Sequence, residues 1–140
     1  MKPLNNIDFS HLEQKINFVF NDKALLQLAL THSSFSKYNN NERLEFLGDS
    51  ILKCMISEHL YHLYPKKNEG DLSKLRSQLI SDKFLTILAQ EIDLGPLLIL
   101  SYGEQKSEGH IKASNLANAF EALLGACYLD QGLEPTKHMY

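Results

Sequence analysis

The apolar residues of this chain recur at helical spacing almost from end to end. No run of residues alternates between apolar and polar as a half-buried strand requires. With 140 residues, of which 44% are hydrophobic and 22% charged, the chain has room for one sizeable core. We therefore expect one all-α domain over 1–140, with a long central helix and no significant sheet.

Polar or proline-containing breaks divide this pattern into separate helices. The spacing predicts helices over 8–20, 23–31, 42–63, 71–91 and 114–130, and Pro135 suits the first turn of one more. The polar, glycine-containing segment 101–109 is predicted to be a mobile loop.

Composition excludes several classes of protein. The first residues lack the apolar run of a signal peptide, and no stretch approaches the length of a membrane span. Cys54 and Cys127 have no C-x-x-C spacing or paired histidines, so we interpret them as reduced core thiols of a cytoplasmic protein. The net charge of -3 does not suit a protein that holds nucleic acid by overall charge alone.

The helix over 42–63 has an acidic face. Glu42, Glu45 and Asp49 fall within an arc of about 60°, at about 100° of rotation per residue. The opposite side is the predicted core face, with Leu44, Leu47, Ile51 and Met55. The three carboxylates repel one another unless a cation neutralises them, and Mg²⁺ takes oxygen ligands of this kind. A solvated acidic face explains the same spacing.

Two residues of this helix argue against an ordinary solvated face. Phe46 lies on the acidic side, where only a partner would bury it. Gly48 lies in mid-helix, where glycine costs about 1 kcal/mol relative to alanine, which indicates close packing or a functional constraint.

The helix over 114–130 has a second polar pair. Asn118 and Glu121 are three residues apart, opposite a predicted core face of Leu116, Phe120, Leu123 and Leu124. If the two polar faces meet, they form a site that holds one or two metal ions, activates water and stabilises charge on a phosphate. The spacing of an asparagine and a glutamate alone carries little weight.

The segment 41–50, Asn-Glu-Arg-Leu-Glu-Phe-Leu-Gly-Asp-Ser, resembles the signature of the ribonuclease III family. The segments that resemble other parts of its catalytic domain are 30–33, 69–73, 103–107, 120–126 and 128–130. The resemblance implies the helical ribonuclease III endonuclease fold and a homodimer whose two sites each cut one strand of double-stranded RNA. It also implies RNA processing that leaves 5′-phosphates, 3′-hydroxyls and short 3′ overhangs.

The resemblance also implies roles for individual residues. The metal ligands would be Glu45, Asp49, Asn118 and Glu121, of which Asp49 and Glu121 are catalytic. Glu42 and Glu69 would assist from the same valley, and Phe46 would plug into a socket on the partner subunit. The cofactor would be Mg²⁺, with Mn²⁺ as a substitute, and the nucleophile would be a water bound to the metal.

The chain departs from the family pattern in two places. The family's usual residue at position 118 is aspartate, so Asn118 removes one negative charge and we expect weaker Mg²⁺ binding. Familiar bacterial members continue into a double-stranded-RNA-binding domain, which does not follow within these 140 residues. RNA contacts are then expected from residues in the loops that flank the acidic valley. These are Lys66, Lys67, Lys74, Arg76, Lys106, His110 and Lys112, some of which are ordinary surface residues.

Three hypotheses therefore stand. The first is an active endonuclease for double-stranded RNA, and the second is a catalytically silent member that binds RNA or serves as a structural ribonucleoprotein subunit. The third is a helical metal-binding protein unrelated to RNA, which the signature disfavours. Retention of the acidic residues favours the first: Glu42, Glu45, Asp49, Glu69 and Glu121 all remain. His32 is interpreted as a structural hydrogen-bonding residue at a helix end rather than as a base.

Overall fold

A computed structural model describes residues 8–139 and confirms the helical architecture in that range. The helices are α1 Ser10–Ile16, α2 Lys23–Ala29, α3 Glu42–Leu63, α4 Glu69–Leu79, α5 Asp82–Glu91, α6 Tyr102–Lys106, α7 Ala113–Gln131 and α8 Leu133–Lys137. Two 3₁₀ turns, Gly95–Leu97 and Gly109–Ile111, join them. Between residues 8 and 139 there is no strand, only an isolated parallel bridge from Thr31 to Ile99. The ends of the predicted domain, 1–7 and 140, lie outside the described residues.

Helix α7 is the centre of the fold. It packs against α2, α3, α5 and α8, with its most extensive contact on α3. Its predicted core residues are confirmed, since Leu116, Phe120, Leu123 and Leu124 are all buried. Small side chains such as Ala119, together with Gly125, allow neighbours to approach α7 from nearly every side. A helix that is apolar almost all round is the form expected of one enclosed by other helices.

The backbones of α3 and α7 come into direct contact at two glycines. A Cβ on Gly48 would collide with the carbonyl of Glu121, and a Cβ on Gly125 would collide with the carbonyl of Leu44. A methyl group at position 48 would also lie 3.1 Å from the Gly125 amide nitrogen. The sequence predicted close packing at Gly48, and this contact is its physical reason.

The close contact also sets which side of α3 faces the core. The buried residues of α3 are Leu44, Gly48, Leu52, Met55, Ile56 and Leu60. The predicted core residues Leu47 and Ile51 are only half-buried. Ile51 nevertheless packs against the core, as predicted, whereas the predicted face was wrong at Leu47, because the stripe that meets α7 is centred on Gly48.

Two early helices are shorter than predicted because the chain turns away at their ends. Helix α1 stops at Ile16, where Asn17 takes a left-handed conformation with φ 53°. The side chain of Asp22 caps α2 by accepting from the Ala24 amide. This helix stops at Ala29, and the residues after it bond to the backbone of Ile99 instead.

The predicted helix over 71–91 is two helices, so that prediction was wrong. Asn68 caps α4 by accepting from the Asp71 amide, and Ser81 caps α5 by accepting from the Phe84 amide. Side chains of this kind at an N-cap satisfy the free amides of a first turn. Ser81 therefore starts a new helix where the apolar spacing alone suggested continuation.

The remaining differences are local. The predicted loop 101–109 contains α6, which Ser101 caps by accepting from the Glu104 amide. Helix α8 begins at Leu133, so Pro135 lies in its first turn, as predicted. Cys127 is buried as predicted, whereas Cys54 is exposed because it lies on the outer side of α3. None of the described helices is both long and apolar enough to cross a bilayer.

The glycine contact predicts a large loss of stability on adding one methyl group. We expect Gly48→Ala to lower the free energy of unfolding by about 3 kcal/mol or more, because the backbone of α7 would have to move. Urea unfolding followed by circular dichroism measures this loss. Gly103→Ala is the matched control: nothing lies within 4 Å of the added methyl, so its stability should stay equal to that of the wild type or rise slightly. Equal stability of the two variants would contradict the contact.

Candidate active site

The acidic residues of α3 and α7 meet at an open cleft. The cleft has a volume of about 410 Å³ and is lined by Glu42, Glu45, Phe46, Asp49, Ser50 and Glu121. The close approach of the two helices at Gly48 brings Glu121 beside the acidic face of α3. The predicted meeting of the two polar faces is therefore seen for four carboxylates.

Glu121 is the most enclosed of these carboxyl groups, with 8% of its surface exposed. Burial, a hydrogen bond to Asp49 and the charges of Asp49, Glu45 and Asp82 raise the pKa of Glu121 to about 8. Burial also raises the pKa of Glu45, with further contributions from Glu42, Asp82 and Asp49. Without a cation, the cleft therefore favours a proton on Glu121 at neutral pH.

Asp49 keeps its charge in the same cleft. Its partial burial acts to raise its pKa, but hydrogen bonds to Glu121 and Lys53 together lower it. The Lys53 ammonium lies 3.0 Å from an Asp49 carboxylate oxygen, one helical turn along α3. The site thus holds one carboxylate that favours ionisation and one that favours protonation.

Two charged residues near the site were missed from the sequence. Lys53 is four residues after Asp49, and that spacing is a recognisable signal for an ion pair on a helix. Asp82, in the first turn of α5, raises the pKa of both Glu45 and Glu121 through its charge. No spacing along the chain connects Asp82 with α3, so only the packing of α5 against α7 could reveal it.

Two predicted site residues are not among those lining the cleft. Asn118 is half-buried and lies three residues before Glu121, which places both on the same side of α7. Glu69 begins α4 and lines a separate groove with Ser57, Tyr61 and Arg76. The roles predicted for these two residues stay predictions.

The donor atoms of the cleft suit a hard divalent cation. The carboxylate oxygens of Glu45, Asp49 and Glu121 are ligands of the kind that Mg²⁺ prefers. Within residues 8–139, however, no three acidic, histidine or cysteine side chains already form a complete ligand cluster. The Asp49 carboxylate is instead engaged by Lys53 and Glu121. A cation would replace these contacts and relieve the crowding that raises the pKa of Glu121.

Phe46 lies at the rim of the cleft with 79% of its surface exposed. On its other side is an apolar groove of about 690 Å³. The groove is lined by Leu25, Leu28, Tyr38, Asn39, Asn40, Glu42, Arg43, Leu44, Phe46, Leu47 and Leu129. The sequence placed Phe46 away from the core, and its exposure confirms that placement.

The predicted RNA-binding residues differ in how far other groups engage them. Lys66 and Lys74 are exposed. Lys67 and Lys106 lie over the rings of Tyr64 and Tyr102, at 5.3 and 4.9 Å from the ring centres. Of the remaining three, His110 is exposed, Arg76 donates to the Ser57 hydroxyl, and Lys112 pairs with Glu104 at 2.9 Å.

Comparison with known families identifies the family of the chain. The model of the Ribonuclease-III-like family matches residues 22–140. The chain belongs to this family. The match includes α3 and α7 and therefore every residue that lines the acidic cleft.

Relatives in this ribonuclease III family are close in sequence. The chain is 48% identical to Ribonuclease 3 of Sulfurovum sp. (strain NBC37-1) over 132 residues, which are 94% of this chain and 59% of the relative. It is 50% identical to Ribonuclease 3 of Haemophilus influenzae (strain PittEE) over 133 residues, which are 95% of this chain and 57% of the relative. The chain thus spans less than three-fifths of the length of these two relatives.

Solved structures support the same assignment. The nuclease domain of ribonuclease III from Campylobacter jejuni matches with a TM-score of 0.92 and 44% identity, over 94% of this chain and 92% of that one. Dicer from Pichia stipitis matches with a TM-score of 0.63 and 33% identity, over 83% of this chain and 49% of that one. The expected ribonuclease III fold is therefore confirmed.

The pKa of Glu121 predicts how stability depends on pH without metal. Because its folded pKa is raised from 4.5 to about 8, the folded state favours the protonated carboxyl group. The wild-type protein should then lose stability as pH rises from about 4.5 to 8. The glutamine of Glu121→Gln cannot ionise, so this variant should lose less stability as pH rises. Its melting temperature should therefore exceed that of the wild type by a margin that grows across this pH range.

Thermal melts in EDTA across this pH range measure the difference, and repeating them with Mg²⁺ provides the control. A ligand that binds only the folded state stabilises it, so Mg²⁺ should stabilise the wild type more than Glu121→Gln. If the melting temperatures of the two proteins in EDTA changed with pH by the same amount, Glu121 would have no raised pKa.

Proposed function

We propose that this chain is the nuclease domain of an endonuclease that hydrolyses phosphodiester bonds in double-stranded RNA. The observation that carries the proposal is the convergence of Glu45 and Asp49 on α3 with Glu121 on α7 in one open cleft. Its relatives named Ribonuclease 3 are longer than this chain, and what that name implies is transferred here as a proposal. The products expected are 5′-phosphates and 3′-hydroxyls with short 3′ overhangs, as in RNA processing.

The proposed cofactor is Mg²⁺, with Mn²⁺ as a substitute, held by Glu45, Asp49, Asn118 and Glu121. When bound, such an ion neutralises carboxylates, activates water and stabilises charge on the phosphate. Glu121 would release its proton as the cation binds, since a neighbouring positive charge favours the ionised carboxylate. Glu42 at the rim of the cleft, and Glu69, would assist substrate or metal binding.

The protein groups around the ion have their own tasks. Lys53 offsets the negative charge of Asp49, and its ammonium group would be free to pair with a phosphate if Asp49 held the ion. Burial of Glu121 limits water around the site, which strengthens the interactions between its charges. The exposed lysines 66 and 74 would contact RNA phosphates, which are the main features by which proteins recognise duplex RNA.

The second candidate, a silent RNA-binding or structural subunit, is not favoured. A protein without catalytic function has no need to keep three mutually repelling carboxylates in a partly buried cleft. The charge cost is visible in the raised pKa values of Glu45 and Glu121. Metal-dependent catalysis requires such a group of carboxylates, because the cation is held by their negative charges.

We expect the purified chain to cut a long RNA duplex at low salt only when Mg²⁺ or Mn²⁺ is present. Cleavage should weaken steeply as salt rises, because phosphate contacts dominate binding. Asn118→Asp should lower the Mg²⁺ concentration for half-maximal cleavage, since it adds one charge beside the ion in a nearly isosteric side chain. Gel analysis of end-labelled duplex at a series of Mg²⁺ concentrations measures both effects.

Three controls make this test decisive. Glu121→Gln should remove most of the cleavage, Glu91→Gln on the exposed end of α5 should leave it unchanged, and single-stranded RNA should be a poor substrate. No cleavage with either metal at high protein concentration would exclude the active enzyme and favour the silent subunit. An unchanged Mg²⁺ dependence in Asn118→Asp, with cleavage lost in Glu121→Gln, would remove position 118 from the ligand set.

We further propose that two copies of the chain associate through Phe46. This side chain is exposed beside an apolar groove that contains Leu25, Leu28 and Leu47. In a symmetric dimer, the ring of each copy would therefore enter the groove of the other. The Campylobacter jejuni nuclease domain, of 44% identity, is described as having a region involved in dimer formation. Two copies would supply two cutting sites for the two RNA strands.

Removing the aromatic ring should weaken this association. Phe46→Ala should cost about 2 kcal/mol of binding free energy or more, as for a buried interface aromatic, and so raise the dimer dissociation constant about 30-fold. Sedimentation equilibrium measures the constant, and circular dichroism should show unchanged helix content. Tyr61→Ala, which removes another exposed aromatic from α3, should leave the constant unchanged. A monomeric wild-type chain at high concentration would refute the dimer.

A further inference from the structure

One short segment of the chain forms hydrogen bonds to the starts of both α3 and α7, the two helices that form the acidic cleft. We call residues 29–34, which follow α2, the anchor segment. Its first part holds the start of α3: the Asn41 side chain donates to the Ala29 carbonyl at 3.1 Å, and the Asn41 amide donates to the Thr31 carbonyl at 2.9 Å. Asn41 is 6% exposed, and its own carbonyl accepts from the Glu45 amide. The anchor segment thereby fixes the turn of α3 that carries Glu45.

The other end of the anchor segment holds the start of α7 through His32. The Ser34 amide donates to His32 Nδ1 at 3.0 Å, so this nitrogen carries no proton. The proton of the neutral ring then lies on Nε2, which donates to Asn115 Oδ1 at 3.1 Å. Asn115 is in the first turn of α7, one turn before Asn118 and two turns before Glu121.

Asn115 is held from its other side as well. Its amide nitrogen donates to the Gly109 carbonyl at 2.9 Å and to the Glu104 carboxylate at 3.2 Å. Lys112 also pairs with that carboxylate, and the hydrogen bonds from Lys112 and Asn115 lower the pKa of Glu104. A Cβ on Gly109 would lie only 2.8 Å from the Glu104 carboxylate oxygen, so a glycine at this position gives the carboxylate the space it needs.

The anchor segment is itself held in place by the chain around Ile99. The Ile99 amide donates to the Leu30 carbonyl at 2.8 Å, and the His32 amide donates to the Ile99 carbonyl at 2.9 Å. The Ser101 amide donates to the Ser34 hydroxyl at 3.0 Å. His32 therefore projects from a backbone that is fixed on both sides, and a shift of its ring would be passed on to Asn115.

We propose that His32 is a positioning residue for the cleft, which fixes the first turn of α7 through Asn115 while the same segment fixes the first turn of α3. This inference rests on the proposed function, because the groups that His32 positions are Asn118 and Glu121. It assigns His32 a function beyond the structural hydrogen bond expected from the sequence. The distance from Asn115 to Glu121 along the helix is only about 9 Å, so a small tilt of α7 changes the separation between Glu121 and Asp49.

The test measures metal binding and helix position without RNA. We expect His32→Ala and Asn115→Ala each to weaken Mn²⁺ binding about tenfold in calorimetry, the lower end of the range seen when a residue that orients metal ligands is lost. Hydrogen exchange of the amides at 116–119 should accelerate in both variants. His32→Gln should recover most of the affinity, because its amide nitrogen is a donor that can replace Nε2–H.

The matched control is Thr136→Val, which removes a buried hydroxyl that donates to the Gly132 carbonyl at 2.7 Å, at the far end of α7. It should lower the melting temperature and leave Mn²⁺ affinity unchanged. Equal loss of affinity in Thr136→Val, or no rescue by His32→Gln, would reduce His32 to a general stabilising role and overturn the proposal. If His32→Ala does not fold, Asn115→Ala decides, because alanine favours the helix and offsets part of the lost hydrogen bonding.

The same experiment separates this inference from the proposed function. A wild-type chain that binds no Mn²⁺ would remove the proposed metal site, and unchanged exchange at 116–119 in both alanine variants would remove the positioning role. Binding by the wild type with unchanged affinity in both alanine variants would overturn only the role of His32.

Discussion

The contact between the α3 and α7 backbones is the constraint on which the rest of the structure depends. Gly48 and Gly125 allow the two helices to approach until the backbone of one touches the other. Helices that pack through larger side chains lie farther apart, with axes typically 8–10 Å from each other. The short separation encloses Glu121 beside Asp49, so Glu121 is buried while Asp49 stays partly exposed to the open cleft. One packing contact thus sets both the stability of the fold and the chemistry of the cleft.

The electrostatics of the cleft follow from this geometry. Carboxyl groups this close do not all ionise readily, and their different surroundings decide which of them keeps its proton. Asp49 has Lys53 as a counter-charge, whereas Glu121 is buried and faces Asp49, Glu45 and Asp82. The resulting pair resembles other carboxyl pairs in which different surroundings separate the two pKa values. The folded chain stores an unfavourable charge arrangement that a divalent cation would relieve.

Much of this organisation could be predicted from the sequence, because helical spacing reports directly which residues share a face. The acidic face of α3, the exposure of Phe46 and the core of α7 follow from rotation per residue, and the packing role of Gly48 follows from the cost of glycine in mid-helix. The split between α4 and α5 did not follow, since Ser81 acts through a capping bond that the apolar pattern does not record. Asp82 was missed for a different reason: its nearness to Glu45 and Glu121 is a property of tertiary packing. The half-burial of Leu47 and Ile51 likewise depends on which stripe of α3 meets α7.

The central place of α7 has a consequence for how the protein is made. This helix comprises Ala113–Gln131, so it leaves the ribosome after α1 to α6 have already emerged. The apolar faces of α2, α3 and α5 lack their main partner until then, because α7 is the helix against which they pack most extensively. Until α7 has been made, part of these apolar faces therefore stays exposed, a state in which chains aggregate easily and chaperones bind. Completion of α7 then covers these faces and closes the core.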